Sequence, residues 1–245
     1  SVISLTGASL AANGSCTFSV NVLGAAAGLH QNVSGFISST QSGTNTTSTG
    51  YASDTLLVIA PPIISKAFGV STIAVGNTTS LSFTITNPNV GTALSGVAFI
   101  DFLPAGLVIH TPGNLTGSCG GGTITANDGT SLVTLSGATL PALGSCTFSL
   151  TVDGTTAGTK INTTGLVGST EGGLGNAAAA TLLVTAPNPK IALLKQVGSS
   201  ATGPWLSFLS TTVAAPVYYQ LTIENTGDVP LSPVTVDDDL VDVTG

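Results

Sequence analysis

The 245-residue sequence has very little charge and no arginine. Charged residues make up 6% of the chain, whereas soluble domains typically carry about 25%. Four lysines stand against eleven acidic residues, which gives a formal net charge of −7. Because nucleic-acid binding depends on clustered basic side chains, this composition excludes nucleic acid as a partner.

Long apolar runs are also missing, although the mean hydropathy is +0.51. Glycine, serine, threonine, proline or asparagine interrupts every apolar stretch before it reaches the roughly 18 residues that a membrane-spanning helix needs. No stretch combines the 3.6-residue period with the caps of an amphipathic helix. The sequence therefore predicts neither a membrane span nor a helical fold.

The sequence instead contains internal repeats. Residues 1–18 read SVISLTGASLAANGSCTF, and residues 131–148 read SLVTLSGATLPALGSCTF. The motif TLLV at residues 55–58 returns at residues 181–184. The copies lie 130 residues apart at the first match and 126 at the second, so the earlier copy carries four extra residues, near positions 44–51.

A fainter match between residues 83–87 and residues 221–225 indicates the start of another copy. The chain is therefore predicted to hold the C-terminal half of a first module at 1–60, a complete module at 61–186 and the N-terminal half of a third module at 187–245. At about 126 residues, the complete module is long enough to bury its own core.

Apolar residues recur every second residue within each module, as in half-buried strands. Residues 81–86 read LSFTIT, and residues 17–22 read TFSVNV. Turn residues interrupt these strands about every 8 to 12 residues. The pattern predicts an all-β fold of tandem immunoglobulin-like antiparallel β-sandwiches. Proline-rich joints at 60–62 and 186–189 favour semi-rigid spacers, and thus beads on a rod.

Several motifs of the complete module resemble a known family. An early strand carries a lysine, the next ends in Thr-Ile-Thr-Asn, and Gly-Ser-Cys-Thr-Phe comes near the end. Between them stands an Asp-x-Leu-Pro-x-Gly-Leu turn made of Asp101, Leu103, Pro104, Gly106 and Leu107. The order of these motifs resembles the bacterial surface repeats known as "domain of unknown function eleven" and its close relatives. The resemblance implies a secreted or cell-surface bacterial protein made of many such sandwiches.

The three cysteines fit such a module. Cys146 shares strand parity with Phe148 and Leu150, so its sulfur is expected to point into the core. A disulfide to Cys119 would close a loop of about 28 residues and stabilise the fold by roughly 3.5 kcal/mol in the chain-entropy model. Cys16 is the repeat mate of Cys146, and its expected partner lies outside the chain. The alternative is a pair of reduced cysteines in the core.

Three polar residues are predicted to face the core together, namely Lys66, Asp101 and Asn176. Burying an ammonium, a carboxylate and an amide is costly unless they satisfy one another. Because a desolvated lysine is a nucleophile and a buried acid can carry a proton, they are candidates for a Lys66–Asn176 isopeptide bond with Asp101 as proton shuttle. The alternative is a plain buried ion pair with the amide as a hydrogen-bonding filler. Lys195 and Asp238 form the matching pair in the third module.

No metal site, cofactor or catalytic site is predicted. His30 and His110 have no cysteine or histidine at ligand spacing. The aspartates between positions 237 and 242 do not follow a calcium-loop pattern and are interpreted as a solvated strand end. The sequence also lacks a phosphate loop, a nucleophile elbow and a His-paired nucleophile, so we do not expect an enzyme.

The expected partners are further modules of the same chain or other copies of it, as in a homopolymer. Low charge allows such copies to lie side by side without repulsion. Surface glycans are a further candidate, because Asn-x-Ser/Thr sequons are frequent. The sequons start at Asn13, Asn32, Asn45, Asn77, Asn114 and Asn162.

These features favour a structural role, as a tandem-repeat subunit of an extracellular bacterial filament, sheath or cell-surface stalk. The alternative is an adhesin or carbohydrate-binding module, which would need a cluster of exposed aromatic residues. Trp205, Tyr218 and Tyr219 fall close together, but aromatic residues make up only 5% of the chain. The two half modules are interpreted either as parts of a longer tandem chain or as halves that complete one another between copies.

Overall fold

The computed structural model describes residues 2–238, and these residues form strands, turns and irregular segments. They contain no helix, and so none that is long and apolar enough to cross a membrane. The all-β prediction is therefore confirmed. Every buried hydrophobic side chain of the described residues lies between Ile64 and Val184, which places the core in the middle of the chain.

Residues 2–58 form two small antiparallel sheets. Their strands are β1 (Gly28–Val33), β2 (Ser38–Ser39), β3 (Gly43–Thr44) and β4 (Ser53–Val58). β1 pairs with β4, and β2 pairs with β3. No strand forms between residues 2 and 27.

The middle of the chain contains most of the strands. They are β5 (Ile63–Phe68), β6 (Thr72–Ala74), β7 (Thr78–Thr86), β8 (Leu94–Phe102), β9 (Leu107–Ile109), β10 (Thr116–Ser118), β11 (Thr123–Ala126), β12 (Leu132–Leu140), β13 (Ser145–Gly154), β14 (Gly158–Thr163), β15 (Gly168–Ser169), β16 (Gly173–Leu174) and β17 (Ala179–Thr185). Two more strands follow, β18 (Ile191–Gly198) and β19 (Tyr218–Asn225), and they pair antiparallel with each other.

The strands of the middle segment form a sandwich. In one layer, β7 lies between β5 and β13, and β13 also pairs with β10 and β9. In the other layer, β8 lies between β12 and β15, with β11 and β16 at the edges. β14, β17 and β6 form a further sheet, which a bridge between Asp101 and Thr164 connects to β8. One pair departs from the predicted antiparallel arrangement, because β6 and β17 run parallel.

Aromatic side chains from both layers meet in the core. Leu81, Phe83 and Ile85 of β7 are fully buried, and the residues between them are half-buried. The Phe83 ring lies 5.1 Å from that of Phe148 in the same layer and 5.2 Å from that of Phe99 in the other. The two-residue period predicted for this strand is therefore confirmed.

The same period does not produce a strand at residues 17–22. Their repeat counterpart, β13, is held by β7, β9 and β10, all of which come from the front of the complete module. Among residues 2–238, no strand plays this part for residues 17–22, so the strand prediction is wrong there. Phe18, Val20 and Val22 are instead 59%, 51% and 72% exposed.

Candidate functional site

A buried ion pair lies between the two layers of the sandwich. Lys66 Nζ on β5 donates hydrogen bonds to both carboxylate oxygens of Asp101 on β8, each at 2.9 Å. Neither side chain has any solvent-exposed area. The structure thus brings together two of the three polar residues expected to meet in the core.

The surroundings of Lys66 disfavour its charged form. Its Nζ lies 5.3 Å from the centre of the Phe83 ring, and this contact favours the ammonium and so opposes the effect of burial. Burial lowers the pKa of Lys66 below its usual range, and the hydrogen bond and negative charge of Asp101 oppose this effect in part. Burial is the larger influence, so the lysine is closer to a neutral, nucleophilic amine than a surface lysine would be.

Asn162 on β14 is the third member of this cluster. Its Nδ2 donates a hydrogen bond to Oδ2 of Asp101 at 2.9 Å, and the residue is fully buried. Its Oδ1 is buried without a hydrogen-bond partner among the described residues. Leaving a buried carbonyl oxygen unsatisfied costs about 1–3 kcal/mol. We refer to Lys66, Asp101 and Asn162 as the buried triad.

The structure does not bring Asn176 to the triad. Asn176 Nδ2 donates to the backbone oxygen of Ile64 at 2.8 Å, and Asn176 Oδ1 accepts from the Ile64 backbone nitrogen at 2.9 Å. The Asn176 side-chain amide therefore makes the two hydrogen bonds to Ile64 that the backbone of a neighbouring strand would otherwise make. The prediction that Asn176 faces the core extended the alternation of β17 back beyond its first residue. β17 begins only at Ala179, so the alternation does not apply to Asn176.

Comparison of the repeats shows that Asn162 occupies a recurring position, although it does not show that the position is buried. Residues 158–162 read GTKIN, and residues 28–32 read GLHQN, at the same 130-residue spacing as the opening repeat. An asparagine thus ends this short motif in both copies. Because Asn162 is buried, it cannot accept a glycan, and that sequon was wrongly counted among the surface sites.

A second lysine–aspartate pair occurs after the complete module. Lys195 Nζ donates to Oδ1 and Oδ2 of Asp238 at 2.6 and 2.8 Å, and it lies 4.5 Å from the centre of the Tyr219 ring. The side chains of Lys195 and Asp238 are 39% and 31% exposed. The pair therefore repeats the Lys66–Asp101 contact without the cover of a complete sandwich.

Cys119 and Cys146 form a disulfide, with their Cα atoms 4.9 Å apart. Cys119 follows β10, and Cys146 lies on β13, which pairs with β10. Both cysteines are buried, whereas Cys16 is free and exposed. The disulfide thus connects core strand β13 to the segment between β10 and β11.

Removal of this disulfide is expected to weaken the complete module. The double variant Cys119→Ser with Cys146→Ser should lose roughly 3.5 kcal/mol of unfolding free energy, because the denatured chain regains the entropy of the open loop. Chemical denaturation followed by circular dichroism measures this change. The variant Cys16→Ser is the matched control and should unfold like the original chain; equal stability of all three proteins would contradict the prediction.

Each histidine contacts one polar partner among the described residues. His110 Nδ1 lies 2.7 Å from Oδ1 of Asp153, and His30 Nε2 lies 2.8 Å from the backbone oxygen of Ala26. Within residues 2–238, no three histidine, cysteine or acidic side chains are grouped so that they could hold a metal ion. The predicted acidic strand end extends to residues 239–242, which lie outside the described residues.

Sequence comparison assigns the repeats to a family model, described as "Domain of unknown function (DUF7933)", that matches residues 1–58 and again residues 62–184. It is a different model from the one suggested by the motifs, "domain of unknown function eleven". No curated protein matches the chain in sequence.

Three solved structures are similar to parts of the chain. The major pilin subunit of Bacillus cereus is 11% identical, with 75% of this chain and 62% of that chain covered and a TM-score of 0.42. A cohesin module from a family 33 glycoside hydrolase of Clostridium perfringens is 12% identical, with coverages of 51% and 98% and a TM-score of 0.38. The bacterial hydrophobin BslA is 15% identical, with coverages of 53% and 98% and a TM-score of 0.35. We draw no functional conclusion from similarities of this size.

Proposed function

The chain belongs to the family described as Domain of unknown function (DUF7933), and we propose that it is a structural tandem-repeat subunit of an extracellular bacterial filament, sheath or cell-surface stalk. The family description names no activity. The proposal therefore depends on the surfaces and contacts of this chain, and above all on the different exposure of its repeated segments.

Equivalent apolar residues of the two repeat copies are buried in the complete module and exposed in the first segment. Leu135 and Phe148 of the complete module are each 1% exposed. Their mates in the first segment, Leu5 and Phe18, are 57% and 59% exposed. Large apolar side chains that are exposed in this way favour an interaction site. This difference in exposure is the observation that carries the proposal.

Contacts within the complete module indicate which kind of segment would cover the exposed apolar side chains of the first segment. Phe148 is covered by strands from the front half of its own module, since its ring stacks on those of Phe83 and Phe99. β18 and β19 pair as β5 and β7 do, and Lys195 on β18 makes the repeated contact with Asp238. In our proposal the first segment packs against a segment of the β18–β19 kind, supplied by a further module of the same chain or by another copy, and residues 1–60 and 187–245 are halves of such sandwiches.

The joint before the complete module is fixed to that module. Asn89 Nδ2 donates to the backbone oxygen of Ala60 at 2.9 Å, and Asn89 Oδ1 accepts from the Ala60 backbone nitrogen at 2.8 Å. A Cβ atom on Gly172 would come within 2.5 Å of the Ala60 oxygen, so the chain packs closely there. A joint held in this way supports a stiff array rather than flexibly tethered domains.

Composition and covalent structure support a place outside the cell. The disulfide between Cys119 and Cys146 would persist in an oxidising compartment and would be reduced in most cytosols. The low content of charged residues, 6%, allows modules of the same kind to pack against each other without strong repulsion.

The proposal is tested by the assembly of the purified chain. We expect elongated assemblies that grow with protein concentration, observed by sedimentation velocity and electron microscopy. Phe18→Asp places a charge among the exposed apolar side chains of the first segment and should prevent this assembly, because the charge would be buried on association. Thr17→Asp is the matched control and should still assemble, since its repeat mate Thr147 is exposed in the complete module.

Two outcomes would contradict the structural role. In the first, the chain stays monomeric at all concentrations. In the second, Phe18→Asp and Thr17→Asp assemble equally well, which would show that these exposed apolar side chains are not the contact. A monomer that binds glycans would favour the adhesin alternative; the aromatic residues for such a site are few, and Tyr219 already packs against Lys195.

A further inference from the structure

We propose that the Lys66 amine and the Asn162 side-chain amide of the buried triad condense into an intramolecular isopeptide bond, with Asp101 carrying the protons. The bond would join β5 in one layer of the sandwich to β14 beside the other. It is a property of the complete module and does not depend on the proposed structural function.

The three reacting groups are already in contact. Lys66 Nζ and Asn162 Nδ2 are both hydrogen-bonded to the same oxygen, Oδ2 of Asp101, at 2.9 Å each. The amine and the amide are thus separated by a single hydrogen-bonded atom. Holding two reactants together in this way replaces a bimolecular encounter with an intramolecular step, which raises the rate by many orders of magnitude.

The site also favours the reactive form of the lysine. An ammonium and a carboxylate without solvent contact pay a large desolvation cost. Transfer of one proton from Lys66 to Asp101 removes both charges and leaves a neutral amine and a neutral acid. The lowered pKa of Lys66 is in accord with this transfer.

The amide of Asn162 is held less completely than that of Asn176. Asn162 Oδ1 has no hydrogen-bond partner among the described residues, whereas both polar atoms of Asn176 are bonded to the Ile64 backbone. Once Asp101 is protonated, its hydroxyl can donate to the Asn162 carbonyl oxygen. That hydrogen bond would satisfy the oxygen and draw electron density from Cγ, where the amine must attack.

The condensation is balanced without an oxidant or a cofactor. The Lys66 nitrogen attacks Cγ of Asn162, a C–N bond forms, and the carbonyl electron pair moves to Oδ1. Asp101 gives a proton to Nδ2 and takes one from the Lys66 nitrogen, the bond between Cγ and Nδ2 breaks, and ammonia leaves. The products are a secondary amide, one ammonia molecule and Asp101 in its acid form.

The proposal is tested by the intact mass of the full 245-residue chain under reducing conditions. We expect a mass lower than that of the sequence by one ammonia molecule. Protease digestion should yield a branched peptide that contains both Lys66 and Asn162, identified by tandem mass spectrometry. A chain with the unmodified mass and separate peptides for the two residues would overturn the proposal.

Variants of Asn162 and Asn176 test which of the two asparagines forms the bond. Asn162→Ala and Asp101→Asn should each have the unmodified mass of their own sequence. Asn176→Ala is the matched control and should still lose one ammonia molecule. Loss of ammonia in Asn162→Ala, or its absence in Asn176→Ala with Asn162 intact and the chain folded, would overturn the assignment. If Asn162→Ala does not fold, the branched peptide from the original chain decides the question by itself.

Discussion

Phe148→Ala is expected to lower the unfolding free energy of the complete module by about 3–5 kcal/mol. The Phe148 side chain is 1% exposed and stacks on Phe83 with 5.1 Å between ring centres. Its truncation removes buried apolar area and leaves a cavity that the two packed layers cannot fill. Residues 62–186 contain neither Trp nor Tyr, so hydrogen exchange of peptides from this region is the appropriate measurement.

The repeat provides a matched control for this prediction. Phe18 occupies the same place in the motif Gly-Ser-Cys-Thr-Phe, but it is 59% exposed. Phe18→Ala in the monomeric chain should change the unfolding free energy by less than about 0.5 kcal/mol, as is usual for surface substitutions. Equal losses for the two variants would contradict the difference in packing on which the proposed function depends.

Asp101→Ala is expected to destabilise the complete module by at least about 3–5 kcal/mol, because it prevents the proposed Lys66–Asn162 bond and leaves a buried lysine without its partner. Lys66 Nζ donates to both oxygens of Asp101, and Asn162 would lose its acceptor as well. The loss should appear as faster hydrogen exchange in β5, β8 and β14.

Asp238→Ala is the control for this second prediction. It removes the partner of Lys195 in a pair that is partly exposed, so water can replace the carboxylate. An ion pair of this kind contributes about 0–1 kcal/mol, and we expect a change within that range. A small effect of Asp101→Ala, comparable with that of Asp238→Ala, would show that burial does not distinguish the two sites.

Much of the fold could be predicted from the sequence because strand alternation and the repeats are local signals. The alternation in β7 predicted which side chains are buried. It failed at residues 17–22, where the sequence is that of a strand but no described segment pairs with it. A strand needs partners, and the pattern of a segment does not report whether they are present.

The candidate site was predicted only in part for a related reason. Lys66 and Asp101 lie within long strands, so their direction followed from parity. Asn176 precedes the start of β17 at Ala179, where parity no longer determines direction. Asn162 is in a strand, but its sequon suggested a surface position, and its repeat mate Asn32 also begins a sequon and so could not correct this.

The proposed bond within the buried triad would support the proposed structural role, because it would help the complete module to resist tension. A covalent bond between Lys66 and Asn162 would prevent tension from extending the chain between these two residues, which is most of the complete module. The disulfide between Cys119 and Cys146 lies inside that protected stretch and would be shielded from force as well.

The central claim is that residues 62–184 form a self-contained sandwich that carries tension, and single-molecule stretching of the full chain between its two ends tests it most directly. We expect residues 2–58 and 187–238 to lengthen gradually at low force, while the sandwich resists to a distinctly higher force. Smooth lengthening of the whole chain at low force, up to the roughly 3.3–3.6 Å per residue of an extended chain, would contradict it.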